Sequence, residues 1–229
     1  MTTALTGISS MATRQLLAVL GASYEQQSGR KIAITSLGGV EAVRRISAGE
    51  AFDIAVLAQS AMERLETSGH LVRGSLVGFA RSFVAVAVRS GEERPRLDHE
   101  ADVKHAVLNA RRIAYSSGPS GEHLKRLFER WGIAESIAHR LVQAPAGVPV
   151  GTLLAKGEAD LGFQQLSELL DIPGVEVLGL LPSDVQSETL FSAGICSVSS
   201  RRDEARALIS YLTSPETGSA KRRYGLEPA

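Results

Sequence analysis

Four times in this chain a β-type apolar run ends in small residues and gives way to a run of helical periodicity. The junctions are Gly7-Ile8-Ser9-Ser10, Ser36-Leu37-Gly38-Gly39, Leu57-Ala58-Gln59-Ser60 and Ser116-Ser117-Gly118-Pro119-Ser120-Gly121. A helix start carries unpaired N–H groups and partial positive charge. Serine hydroxyls and bare glycine backbone let an anion approach those groups closely. Several such junctions facing one hollow predict an anion trap built mostly from neutral donors.

The runs between the junctions predict an α/β fold. Leu5–Ile8, Lys31–Thr35 and Phe52–Leu57 read as strands, each followed by a helix, over Met11–Gln27, Val40–Ala48 and Ala61–Thr67. The run Phe52-Asp53-Ile54-Ala55-Val56-Leu57 is almost continuously apolar, as in a strand of a parallel sheet covered on both faces. Repeated strand–helix units imply right-handed crossovers. Further along, Arg112–Tyr115, Ala159–Phe163 and Val175–Leu180 read as strands, and Ala101–Ala110, Gly121–Trp131, residues 135–141, Val148–Ala155, Leu166–Leu170 and Asp203–Leu212 as helices. Two long apolar runs, Leu76–Val88 and Glu188–Val198, interrupt the alternation. They predict strands that carry the chain from one lobe to a second and back. The expected domains are residues 1–80 with 193–229 for the first lobe, and 81–192 for the second. Each lobe is a mostly parallel sheet flanked by helices. Ligands of open α/β sheets sit beyond the carboxyl ends of the strands, so the expected site is the interlobe cleft, closed by a hinge.

Composition narrows the function. The 229 residues carry 25 basic and 25 acidic side chains, which argues against a nucleic-acid partner. The basic cluster Lys221-Arg222-Arg223 reads as a solvated helix end. The single cysteine, Cys196, lies in an apolar run and reads as a buried strand thiol. No run reaches the roughly 20 apolar residues of a membrane span. Met1–Thr6 lacks a basic, then apolar, secretory leader, so the expected location is cytoplasmic as written, or periplasmic if the chain is a trimmed mature form. The five histidines form no pair at metal-ligand spacing, and neither a metal nor a cofactor is expected. A phosphate loop of the nucleotide-hydrolase type and a dinucleotide Gly-x-Gly-x-x-Gly turn are both missing.

Several segments resemble the periplasmic molybdate-binding proteins of the type II solute-binding class. Thr6-Gly7-Ile8-Ser9-Ser10-Met11 and Ser36-Leu37-Gly38-Gly39 resemble that family's first two anion-binding turns. Ser47–Ala58 resembles the segment leading to its third turn, and Gly147–Gly162 its late helix and following strand. The resemblance implies ligand contacts at Ser9 or Ser10, Ser36 with Gly38 and Gly39, Ala58, and Val148. The junction residues Ser116, Ser117 and Ser120 join the candidate binding set on their own pattern. Two departures stand out: Gln164-Gln165 replaces a tyrosine-hydroxyl segment, and Arg81 sits at the lobe crossing. An arginine fork fits a carboxylate. The chain is also similar to the related aconitate isomerases, which move a double bond in a tricarboxylic acid by proton transfer.

Two functions are therefore expected. One is a monomeric receptor for a small anion, either a molybdate-like oxyanion or a small polycarboxylate, working with an ABC-type membrane transporter if exported. The other is an isomerase of an aconitate-like acid in the same cleft, with Glu122, His123 and Tyr115 as candidate acid–base groups and Arg81 and Gln164 in the ligand set. A ligand-sensing domain of a gene regulator would need a DNA-binding segment that the sequence does not contain.

Overall fold

The computed structural model describes residues 4–229, so the reading of Met1–Thr3 lies outside the described residues. The elements run in the order β1 (Leu5–Ser10), α1 (Arg14–Ser28), β2 (Ile32–Leu37), α2 (Gly39–Ser47), β3 (Ile54–Ala58), α3 (Gln59–Thr67) and β4 (Val77–Arg89). Next come α4 (Glu100–Asn109), β5 (Ile113–Tyr115), α5 (Pro119–Arg130), α6 (Ala134–Ile137), β6 (Leu141–Gln143), α7 (Val150–Ala155), β7 (Leu161–Gln165), α8 (Leu166–Leu169) and β8 (Val175–Leu180). The chain ends with β9 (Glu188–Ile195), α9 (Arg202–Leu212), α10 (Gly218–Arg223) and β10 (Glu227–Pro228). They form two units. One comprises the chain through Ser82 together with Thr189–Ala229, and the other Phe83–Glu188. The long strand β4 begins in the first unit and ends in the second.

In the first unit the strands lie in the order β2-β1-β3-β9, with β1 parallel to β2 and β3, and β9 antiparallel to β3. Strand alternation sends successive side chains to opposite faces. Ile54 and Val56 join Leu16, Leu20, Leu208 and Leu212 from α1 and α9. Ala55 and Leu57 join Ala42, Ile46, Met62 and Leu65 from α2 and α3. Both faces of β3 are thus covered, which is why its sequence is apolar without interruption.

In the second unit β8 and β7 flank β4 antiparallel, and β5 lies parallel between β7 and β6. Val84, Val86 and Val88 face the core under α4 and α5. Ala85 and Ala87 face α7 and α8. That alanine face lets α7 lie close to the sheet. At Gly162 of β7 an added Cβ would sit 2.7 Å from Val150 and 2.8 Å from Leu154 of α7. Only glycine permits that approach.

The structure corrects three sequence readings. The helix expected over 135–141 is the single-turn helix α6 plus a tight turn, after which Leu141 opens β6 against Ile113 of β5. A strand of three residues is too short to show alternation. Helix α5 begins at Pro119 rather than Gly121, using proline's fixed φ in the first turn. Lys221, read as a solvated helix end, is 2% exposed, with its ammonium 5.1 Å from the centre of the Phe79 ring. The C-terminal segment causes this burial: after α10 the chain turns back, and β10 pairs with Arg81 and Ala80 of β4.

Candidate functional site

The register of the parallel strands brings the first three junctions to one edge of the first unit. Ser9 lies opposite Ser36 of β2 and opposite Val56 of β3. Strand β1 runs on to Ser10, so both serines end the strand rather than follow it. Ser9 is fully buried, and its hydroxyl meets that of Ser36 at 2.8 Å. Ser10 accepts the Ala12 N–H at 3.4 Å and caps the turn into α1. The next two helix starts are bare. Gly38 precedes α2 and Ala58 precedes α3, and neither offers a side chain to the first N–H groups. A helix start without a side-chain acceptor is an open anion position. Beside it, Gln59 accepts the hydroxyl of buried Ser192 and donates to Glu63 at 2.7 Å.

The second unit builds its own cluster at the carboxyl ends of β5 and β7, which are parallel with Tyr115 opposite Phe163. Ser116 and Ser120 bring their hydroxyls to 2.9 Å, and the Gly118 N–H donates to the Ser116 hydroxyl at 3.3 Å. Gly121 makes this turn possible. A Cβ there would lie 1.7 Å from the Ser116 carbonyl oxygen. Ser117 is exposed at the rim of the same turn.

At the end of β7, Gln164 is 2% exposed and both ends of its amide are engaged. Its oxygen accepts the Val150 N–H at 2.7 Å, and its nitrogen donates to Glu168 at 2.9 Å. The first amide of α7 is therefore filled by a side chain of this protein. At Val148, the implied contact, the N–H closes a turn onto the Pro145 carbonyl at 3.0 Å.

Arg81 has a partner within the chain. Its Nε and Nη2 both donate to the Pro228 carbonyl, at 3.0 and 2.9 Å, so the fork holds the C-terminal segment. Two of the three candidate acid–base groups are engaged elsewhere. Glu122 is exposed, 3.9 Å from Lys125. A ring nitrogen of His123 lies 2.7 Å from the Val185 carbonyl. The Tyr115 hydroxyl donates to Gln143 at 3.3 Å, and the Lys125 ammonium lies 5.6 Å from its ring centre.

Sequence reasoning missed Gln59, Ser167, Glu168 and Ser192. The signal for two of them was an i,i+4 glutamine–glutamate spacing, present at Gln59–Glu63 and again at Gln164–Glu168. Ser167 is buried, and its hydroxyl has no hydrogen-bond partner.

The main charged cluster of the first unit lies at the opposite strand ends. Asp53 accepts from the Thr6 N–H at 2.8 Å, the Thr6 hydroxyl at 3.1 Å, the Ser199 hydroxyl at 2.7 Å and the Arg201 guanidinium. Burial works to raise this carboxyl, but the donors outweigh it and hold it below its usual range. Cys196 is buried as read, its thiol pushed up to about 12 by burial, with the Asp53 charge adding to the effect. Among the described residues, no three His, Cys, Asp or Glu side chains gather as a metal cluster would require. No helix among them is long and apolar enough to cross a membrane.

A family model described as bacterial extracellular solute-binding protein matches residues 5–227. Aconitate isomerase of Pseudomonas sp is 36% identical over 232 residues, covering 99% of this chain and 88% of that protein. The molybdate-binding protein ModA of Azotobacter vinelandii is 25% identical over 213 residues, covering 90% and 82%. Among solved structures, the periplasmic molybdate-binding protein of Azotobacter vinelandii superimposes with a TM-score of 0.82 at 20% identity, over 97% of this chain and 98% of that one. The fold is the two-lobed type II periplasmic-binding-protein architecture, as the strand–helix alternation and the two long runs predict.

Proposed function

The chain belongs to the bacterial extracellular solute-binding protein family, and from that membership we propose that it binds a small polycarboxylate of the aconitate class and moves its double bond. The observation that carries anion binding is the pairing of buried or half-buried hydroxyls at parallel strand ends in each unit. Ser9 meets Ser36 in one unit and Ser116 meets Ser120 in the other. Each pair stands beside a helix start without a side-chain cap, at α2 and α3 in the first unit and at α5 in the second. Neutral donors of this kind hold an anion and also take up the charge that builds on a carboxylate as a neighbouring C–H bond breaks. The choice of a carboxylic acid is supported by the 36% identity to an aconitate isomerase along nearly the whole chain, against 25% to a molybdate-binding protein.

A second reading is favoured by one observation. Arg81 holds the Pro228 carbonyl, which leaves the clusters with hydroxyl and amide donors, a set suited to a tetrahedral oxyanion. On that reading the protein is a molybdate-type receptor that works outside the cytoplasm with an ABC-type membrane transporter.

A thermal-shift panel with cis-aconitate, trans-aconitate, citrate, molybdate, tungstate and sulfate separates the two, because a ligand that binds only the folded state raises stability by mass action. Stabilisation by the aconitates, with their interconversion followed by proton NMR, is the expected result. Stabilisation by molybdate and tungstate alone overturns the isomerase reading and leaves the receptor.

A further inference from the structure

We infer that Glu168 is the group that carries the proton in the isomerisation, an inference that rests on the aconitate reading above. Three observations point to it. First, Glu168 follows directly from the end of β7, at the same carboxyl edge as the Ser116–Ser120 pair, because β5 and β7 run parallel in register. Second, its carboxylate is aimed by a rigid partner. The buried amide of Gln164 is fixed through its oxygen by the Val150 N–H and donates to Oε1 of Glu168. A catalytic carboxylate needs such an orienting group, since the angle at which it meets a C–H bond decides the rate. Third, the neighbouring Ser167 hydroxyl is buried and without a hydrogen-bond partner, a polar group suited to receive a polar guest beside Glu168. His123 and Tyr115 are each engaged by another part of the second unit, and Glu122 is exposed beside Lys125.

The chemistry balances without a co-reactant. Glu168 removes a proton from the methylene carbon next to the double bond. The electrons of that C–H bond form the new double bond. The electrons of the old double bond then take a proton from the same carboxyl group at the other end of the three-carbon unit. One C–H bond breaks, one forms, and the carboxylate ends as it began. The hydroxyls of the Ser116–Ser120 pair hold the negative charge that passes through the guest's carboxylates.

The test follows cis-aconitate in deuterium oxide by proton NMR, with thermal shift on the same acid as the measure of binding. The wild-type chain is expected to interconvert the isomers and wash deuterium into the carbon skeleton. Glu168→Gln is expected to keep the thermal shift and lose turnover by about a hundredfold or more. Glu168→Ala with added formate is expected to regain part of the lost rate, which a purely structural role would not produce. Glu168→Asp, which keeps the charge and withdraws it by one methylene, is expected to lower kcat by about tenfold or more with KM little changed. Turnover within about threefold of wild type in Glu168→Gln, or in Glu168→Asp should the glutamine variant not fold, overturns the assignment. A wild-type chain that binds cis-aconitate without exchange or interconversion overturns the isomerase reading itself, and the two failures are thereby distinguished.

Discussion

The strand ends of the two units use the same parts differently. Each has a pair of touching serine hydroxyls, and each has a glutamine that donates to a glutamate four residues later. In the first unit the glutamine, Gln59, turns its oxygen to a serine hydroxyl, and the helix starts of α2 and α3 stay uncapped. Its partner Glu63 is exposed. In the second unit the glutamine is buried, its oxygen fills the first amide of α7, and its partner Glu168 is half-buried. The first unit therefore offers open main-chain donors at α2 and α3, whereas in the second Gln164 fills the first amide of α7 and holds a half-buried carboxylate in place. An architecture that only had to hold an anion would gain nothing from a carboxylate there, since like charge opposes binding. On the isomerase reading proposed above, the second unit carries the reacting group.

The sharpest way to break the second cluster without touching its polar groups is Gly121→Ala. The new methyl carbon would sit 1.7 Å from the Ser116 carbonyl, so the turn must open. We expect a loss of about 3 kcal/mol or more in urea denaturation, and loss of ligand-induced stabilisation. A variant with wild-type stability would show that the tight turn is not needed.

Asp53→Ala acts on the first unit alone and far from the strand ends. It removes the carboxylate that the Arg201 guanidinium, the Thr6 N–H and the Ser199 hydroxyl share, at an expected cost of about 3 kcal/mol. The pH dependence has a defined sign. The folded carboxyl titrates below its unfolded value, so the stability it contributes is present above about pH 4 and is lost as pH falls through the lower, folded value. Hydrogen exchange read segment by segment on lowering the pH should show the first unit opening before the second, and Asp53→Asn should remove that order.

Ser9→Ala with Ser36→Ala tests whether the first unit binds. A hydrogen bond to a charged group contributes about 1.5–3 kcal/mol, so calorimetry with cis-aconitate should show affinity reduced by about tenfold or more, with turnover of bound acid less affected. Ser117→Ala, at an exposed position, should change affinity by less than twofold. Equal losses in both variants would remove the distinction between the paired hydroxyls and the rim.

The sequence revealed the fold through features that repeat. Strands covered on both faces, such as Ile54–Ala58, are apolar at every position, and the four small-residue junctions mark where strand gives way to helix. The serines of the candidate site were legible for the same reason, since a junction names its residues. What escaped depended on long-range placement. Arg81 looks like a carboxylate ligand until the C-terminal segment, 147 residues later, brings Pro228 to its guanidinium. Val148 looks like an amide donor until Pro145 turns back to take its N–H. Glu168 shares its glutamine–glutamate spacing with the exposed Glu63, and only the burial of Gln164 sets it apart. Which partner a polar group meets is set by the tertiary fold, and local pattern does not record that.

A modest effect is expected at the buried cation of the first unit. Lys221 in the first unit is buried against Phe79, and burial lowers its ammonium to about 8 from an ordinary 10.5. Between those values the unfolded chain holds more protons than the folded one, so this group makes stability rise with pH from about 8 to 10.5. Below pH 8 the amine is charged in both states and its desolvation opposes folding in full. The Phe79 ring offsets part of that opposition, by about 0.5–1 kcal/mol. Replacing the amine with a side chain of similar length and no charge, Lys221→Met, should therefore stabilise the protein by about 1–2 kcal/mol at pH 7, after allowing for the water that still reaches the ammonium. The gain should shrink towards zero above pH 10.5. Urea denaturation at pH 7 and pH 10.5 measures both. Destabilisation at pH 7 would mean that the contact with Phe79 outweighs desolvation, and that the buried cation helps to anchor α10 and β10 against β4.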